Sequence, residues 1–267
     1  MSASPAGAIV LLHGATLNGR MWDPVRALLE PRFTVVTPDL PGHGASADVR
    51  YSLDAAIAVV RAAVLAVAPA PVILVGDSLG GYTAMAAAMH VPRAQLRGLV
   101  LGGCSSNLRG TRLPPYLAQI GLIATMRTLL GPKRLLARIG QQLSSRVAPE
   151  HAAAMLAAGI HPEVFSDCVW ALNAVDFREV VAQIPVPILF VNGGKDRGHV
   201  RFEARFVAAA QSATTHRFPG VEHGVSIWRS TEFAQLTADF ASRVFAVGNA
   251  DGAGAVAGAA AGAGASA

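Results

Sequence analysis

The sequence predicts an α/β protein: an open, mostly parallel, doubly wound sheet of about six strands, interrupted once by a helical insertion. Three observations carry this expectation. Several short runs are apolar almost throughout rather than alternating, which suits parallel strands buried on both faces. Longer helical patterns lie between those runs, giving a β-then-α alternation. One stretch of about 80 residues, Cys104 to Ile184, holds no strand-like run at all.

The strand candidates in order are Ala8–Leu12, Phe33–Thr37, Val72–Gly76, Gly98–Gly102, Pro187–Val191 and Thr214–Phe218. Between them fall helical patterns at Val25–Glu30, Leu53–Val67, Gly81–His90 (which stops before Pro92) and Arg201–Ala210, with a last one at Glu232–Val247. Pro114-Pro115, Gly131-Pro132, Pro149 and Pro162 divide residues 104–184 into four or five helices. Residues 1–103 and 185–247 are then the core, and 104–184 an insertion. Residues 248–267 contain 10 Ala and 6 Gly with Asp251 as the one charge, and are expected to form a disordered tail.

Composition limits the function. The chain has 267 residues, 52% hydrophobic and 15% charged, enough to build a core without a metal or disulfide. Its net charge is +5, but no run of five like charges occurs and aromatics are only 6%, so no nucleic-acid partner is expected. The two cysteines, Cys104 and Cys168, are far apart, which favours a reducing compartment. The most apolar long stretch, Leu53–Val67, is broken by Arg61 and too short to span a bilayer. The N-terminal residues carry no Lys or Arg and no long apolar run. A cytoplasmic protein without a membrane span is the expectation.

The chemistry centres on Gly76-Asp77-Ser78-Leu79-Gly80, placed directly after a strand and directly before a helix. At such an elbow the serine takes a strained backbone conformation that lifts its hydroxyl above the sheet, and the glycines avoid collisions across the tight turn. The helix that follows aims its amide groups at the site. A serine needs a base, and the base needs an orienting acid. Of eight histidines, His199 and His223 remain once those in turns, the insertion, a strand and a helix end are set aside. His223 is the better base, because its loop follows the last strand at the carboxyl edge of the sheet, the edge that bears Ser78. Asp196 ends the turn after the fifth strand and is the acid expected, with Glu222 as the fallback. Asp77 reads as a local hydrogen-bonding residue.

With these motifs in order, the chain resembles the α/β-hydrolase superfamily, in its esterase-like branch with a helical lid. The resemblance spans about residues 8 to 246 and rests on four motifs. His13-Gly14-Ala15 follows the first strand, and Asp39-Leu40-Pro41-Gly42-His43-Gly44-Ala45-Ser46 the second. The elbow is the third, and Gly194-Lys195-Asp196 with Glu222-His223-Gly224 the fourth. The resemblance implies Ser78 as nucleophile, His223 as base, Asp196 as its carboxylate, and the amides of Ala15 and Leu79 as an oxyanion hole. It also implies a sheet order 2-1-3-4-5-6, with Phe33–Thr37 at an edge. No cofactor and no metal are expected, since HExxH and G-x-G-x-x-G patterns are absent.

A serine at the elbow suits hydrolysis of a carboxylic ester, or a related acyl compound, through an acyl-serine. Thioesterase, acyltransferase and C–C hydrolase chemistry would use the same residues. A non-catalytic ligand-binding protein on this fold is the alternative from another class. From Cys104 to Ile160 there are seven basic residues (Arg109, Arg112, Arg127, Lys133, Arg134, Arg138, Arg146) against Glu150 alone. Apolar groups from Leu117 to Leu130 are expected to cover Ser78. The basic face is either merely solvated or steers an anionic, carrier-linked acyl substrate.

Overall fold

The computed structural model describes residues 6–110 and 113–262, with side chains as far as Ala246. Its centre is one six-stranded sheet, ordered β2-β1-β3-β4-β5-β6 and parallel at every pairing. The strands are β1 (Ala8–Leu12), β2 (Thr34–Val36), β3 (Val72–Asp77), β4 (Leu96–Gly102), β5 (Ile188–Gly193) and β6 (Ala213–Phe218). All six expected strands are present, and the order is the expected one. The four inner strands are buried along nearly their whole length, which is why their sequences read as unbroken apolar runs. At the edges the pattern relaxes. β2 shrinks to three residues, and β6 exposes Thr214, Thr215 and Arg217.

Alternation along β1 separates two apolar layers. Ala8, Val10 and Leu12 point to the face covered by α2 (Leu53–Ala66), α3 (Leu79–Ala87) and α9 (Arg197–Ala209). Ile9 and Leu11 point to the face covered by α1 (Asp23–Leu29) and α11 (Ser230–Gly262), where Trp22, Phe233 and Phe245 are buried. Two helices begin on clear local signals. The Ser52 hydroxyl accepts the Ala55 amide at the start of α2, and Pro24 opens α1.

Among the described residues, five α-helices lie between β4 and β5: α4 (Leu113–Leu130), α5 (Pro132–Ser144), α6 (Pro149–Ala157), α7 (Phe165–Asn173) and α8 (Phe177–Gln183). They differ in how deeply they are buried. Phe177 and Val181 of α8, and Ile184 after it, are fully buried in the core, with Phe177 ringed against Tyr82 of α3 (centroids 4.7 Å apart). In contrast, α4 buries no residue fully. Leu122 and Leu129 are 59% and 76% exposed, so only part of its apolar surface turns inward.

A short helix α10 (Val225–Trp228) precedes α11. The backbone of α11 stays helical to Gly262, past the Val247 end expected from sequence. The segment expected to form the tail begins at Gly248 and so overlaps this helix. Residues 263–267 of that segment lie outside the described residues.

Candidate active site

The elbow is built as its sequence requires. Ser78 sits between β3 and α3 with φ 55° and ψ −116°, a left-handed conformation rare for a residue with a side chain. A Cβ on Gly76 would land on the Gly80 backbone, and one on Gly80 would land on the Leu12 carbonyl. Both glycines are therefore steric necessities where β1, β3 and α3 converge. The turn places Ser78 over the carboxyl rim of the sheet, where α3 begins.

Two further loops of that rim reach the serine. His223 follows β6, and its Nε2 lies 3.0 Å from Ser78 Oγ. Its other ring nitrogen, Nδ1, is 2.7 Å from Oδ2 of Asp196, in the turn after β5. The structure thus brings together the three side chains singled out from sequence, while Glu222 makes no part of this line. Because the carboxylate can only accept, Nδ1 carries the proton and the Nε2 lone pair faces the serine hydroxyl.

Charge around the pair favours that arrangement. Burial alone would raise the Asp196 pKa, but hydrogen bonds from His199 and His223 outweigh it and hold the carboxyl well below the usual carboxylate range. For His223, loss of solvent opposes the protonated form. The hydrogen bond to Asp196 and the negative charges of Asp77 and Asp196 overcome it, so its pKa stands above the ordinary histidine value.

Asp77 makes its hydrogen bonds across the fold, not within its own turn as the sequence suggested. It is buried, and its Oδ2 accepts from the hydroxyl and the amide of Ser226 in α10. It so ties β3 to the loop that carries His223. Gly103 (φ +56°), just past β4, passes so close beneath His223 that a Cβ there would strike the ring.

The His13-Gly14-Ala15 loop flanks the serine from the other side. Gly14 lies beside Ser78 Cβ, and Ala15 and Leu79 line the same cavity as Ser78 and His223. Leu79 is the first residue of α3, so its amide has no carbonyl one turn back within the helix. Two buried histidines hold this loop. His13 directs Nδ1 at the Gly14 carbonyl (2.9 Å) and accepts the Leu40 amide at Nε2 (2.9 Å). His43 directs Nδ1 at the Pro41 carbonyl (2.8 Å) and accepts the Thr16 amide at Nε2 (3.0 Å). Sequence reading placed both in turns and assigned them no part. Their signal was a histidine beside glycine after each of the first two strands.

The cavity over Ser78 measures about 510 Å³. Its walls are mainly apolar, with Leu17, Ile227 and Trp228 from the core. Leu108, Tyr116, Phe165, Val169 and Leu172 come from residues between β4 and β5. From α4 only Pro115, Tyr116 and Gln119 reach it, so the apolar residues from Leu117 to Leu130 do not cover Ser78 as the sequence suggested.

His199, set aside in favour of His223, lies in the same site. Its Nδ1 is 2.9 Å and 3.0 Å from the two carboxylate oxygens of Asp196, and its ring stacks on that of His223 with centroids 5.1 Å apart. The spacing Asp196-x-x-His199 on the first turn of α9 was the available signal. Among the described residues, Asp196, His199 and His223 bring their ligand-type atoms within 4.8 Å of one another, as a metal site would. Both Nδ1 atoms already point at the carboxylate, so hydrogen bonding accounts for the cluster. No described helix is long and apolar enough to cross a membrane.

Comparison with known proteins gives three results. The sequence model described as "Alpha/beta hydrolase family" matches residues 9–261. A pimeloyl-[acyl-carrier protein] methyl ester esterase of Xanthomonas axonopodis pv. citri is 31% identical over 199 residues, 71% of this chain and 77% of the relative. Its counterpart from Methylococcus capsulatus is 31% identical over 216 residues, 71% and 76% of the two chains. Among solved structures, an esterase from Exiguobacterium antarcticum superposes with a TM-score of 0.73 at 17% identity, covering 90% of this chain and 92% of its own. MenH from S. aureus gives 0.72 at 17% identity, with 90% and 95% covered. At such identities the structural likeness speaks to fold alone.

Proposed function

The chain belongs to the alpha/beta hydrolase family, and from that premise we propose that it is a serine esterase acting through Ser78, His223 and Asp196. The observation that carries this reading is the continuous line from Ser78 Oγ to His223 Nε2 (3.0 Å) and from His223 Nδ1 to Asp196 (2.7 Å), opening into an apolar cavity.

In the first half-reaction Ser78 Oγ attacks the ester carbonyl carbon while its proton passes to His223 Nε2. The developing oxyanion is met by the amides of Leu79 and Ala15, donors of a kind worth about 3 kcal/mol each in a transition state. Collapse breaks the bond to the alkoxy oxygen, which takes the proton from Nε2 and leaves as the alcohol. In the second half, water gives a proton to Nε2 and attacks the acyl-serine. The carboxylic acid departs, and Ser78 recovers its proton. Asp196 stays ionised throughout, holding the imidazole and stabilising it when charged.

The substrate class proposed is a small alkyl ester of an acyl chain borne on an acidic carrier. Two features support it. The relatives are named for esters of this kind, and Lys133, Arg134 and Arg138 of α5 are exposed, with no acidic residue on α4 or α5. The helices between β4 and β5 then act as a lid, with apolar residues toward the acyl chain and basic ones toward the carrier. The test has two arms. A fluorophosphonate probe should label Ser78, and the chain should turn over short p-nitrophenyl esters. Arg134→Glu with Arg138→Glu should raise KM for a carrier-linked ester severalfold at low salt, less at high salt, and leave a neutral p-nitrophenyl ester unaffected. Absence of labelling overturns the esterase reading, and an equal response of both substrates overturns the carrier.

A further inference from the structure

We propose that His199 is a positioning residue of this site: it shares the carboxylate of Asp196 with His223 and limits how strongly that carboxylate holds a proton on the base. The inference rests on the reading of Ser78, Asp196 and His223 above and goes beyond it in giving the acid two histidine partners.

The geometry is specific. His199 and Asp196 are nearly solvent-free, with side chains 5% and 8% exposed, whereas His223 is 46% exposed and faces the cavity. The first turn of α9 fixes the inner pair, since the His199 amide donates to the Asp196 carbonyl (3.0 Å) while the imidazole folds back on the carboxylate. Oδ2 of Asp196 therefore receives two imidazole N–H groups, at 2.9 Å from His199 and 2.7 Å from His223. On its far side His199 is held by its neighbours. Its Nε2 lies 3.4 Å from the Tyr82 hydroxyl, which donates to the Ser106 carbonyl (2.5 Å) and so offers its oxygen lone pairs. The His199 carbonyl accepts from Ser105, which is bonded in turn to Asn192.

Two consequences follow. A carboxylate locked by His199 cannot swing away when His223 moves during turnover. A carboxylate that already stabilises one imidazole also has less negative charge to give the other, and any positive charge on His199 lies stacked against the His223 ring. The lock keeps the imidazole oriented, while the sharing of charge favours the neutral, proton-accepting form of His223. The other titratable groups packed here are Asp77 from β3, Tyr82 from α3, Cys104 after β4 and Glu203 one turn along α9. Glu203 is committed to Asn192 and Arg217. Lys195 and Arg197, beside Asp196, are exposed.

The test is the pH profile of kcat/KM for a neutral p-nitrophenyl ester in the wild type, His199→Leu, His199→Gln and Ser78→Ala. In His199→Leu the acid limb should move up by about half a unit to one unit, with kcat severalfold lower and KM little changed. His199→Gln keeps an uncharged N–H donor and should restore most of kcat. An acid limb in a folded His199→Leu protein within about 0.2 unit of wild type overturns the proposal. Should the leucine variant fail to fold, 15N imidazole NMR of the wild type decides: His199 must carry its proton on Nδ1, and a bare Nδ1 overturns the assignment. Activity surviving in Ser78→Ala would instead remove the esterase reading itself, so the two failures are distinct.

Discussion

Acidification should destabilise the fold across a pH window set by two buried histidines that take no part in the proton transfer. His13 and His43 are fully buried, each donating from Nδ1 to a carbonyl and accepting a backbone amide at Nε2. A second proton would set N–H against N–H with no water to intervene. Burial first, and then repulsion from the His43 ring, pushes the His13 imidazole from 6.5 down to about 3. Burial likewise lowers His43. The unfolded chain binds these protons near pH 6.5 and the folded chain does not. The stability is therefore complete above about pH 6.5 and lost as pH falls toward the folded values. For His13 alone the slope approaches about 1.4 kcal/mol per pH unit, or about 2.5 kcal/mol between pH 7.5 and 4.5, and His43 adds to it. Asp196, with its lowered pKa, contributes a loss only toward and below the ordinary carboxylate value, and His223, with its raised pKa, acts above 6.5 and in the opposite sense. Urea unfolding at several pH values, in the wild type and in His13→Asn, measures the effect. The variant should start less stable but show a shallower slope. A wild-type free energy that is flat from pH 6.5 to 4.5, or an identical slope in the variant, would refute the argument.

Two further outcomes are expected. Ser78→Ala and His223→Ala should each lower esterase kcat/KM by several orders of magnitude, and the double variant should be little worse than either, since the two act as a unit; additive losses would show that they act separately. Removing residues 248–267 should leave the melting temperature and esterase activity unchanged, because the segment is 10 Ala and 6 Gly, with Val256 as its one apolar side chain larger than alanine. A fall of several degrees would mean that the segment packs on the domain.

Much of the fold was legible because parallel strands advertise themselves. The runs around Ile9, Ile73 and Leu99 are buried on both faces and could hardly be anything else. Ser78, Asp196 and His223 were legible for a related reason: each lies just past the carboxyl end of a strand, so locating the strands locates the rim. What escaped depends on side chains meeting across long separations. Nothing along the chain says that His43 reaches the Thr16 amide or that Phe177 packs on Tyr82. His199 was set behind His223 because the His223 loop follows the last strand at the carboxyl edge, and the Asp196-to-His199 spacing went unused. The outward turn of Leu122 and Leu129 was hidden because α4 is apolar on nearly every side, so periodicity could not assign its inner face.

The uniform direction of the six strands makes the molecule polar end to end. Every loop that touches Ser78 leaves the sheet at one end, whereas the chain enters β1 at the other, at Ala8. Five residues of strand separate the two ends by about 16 Å. A tether joined ahead of Ala8 would thus hold the molecule with its cavity facing away from a solid support, open to bulky esters. An anchor on the loop after β6, whose His223 and Gly224 line the cavity, would turn the mouth toward the surface, so attachment site alone would decide which esters an immobilised preparation can reach.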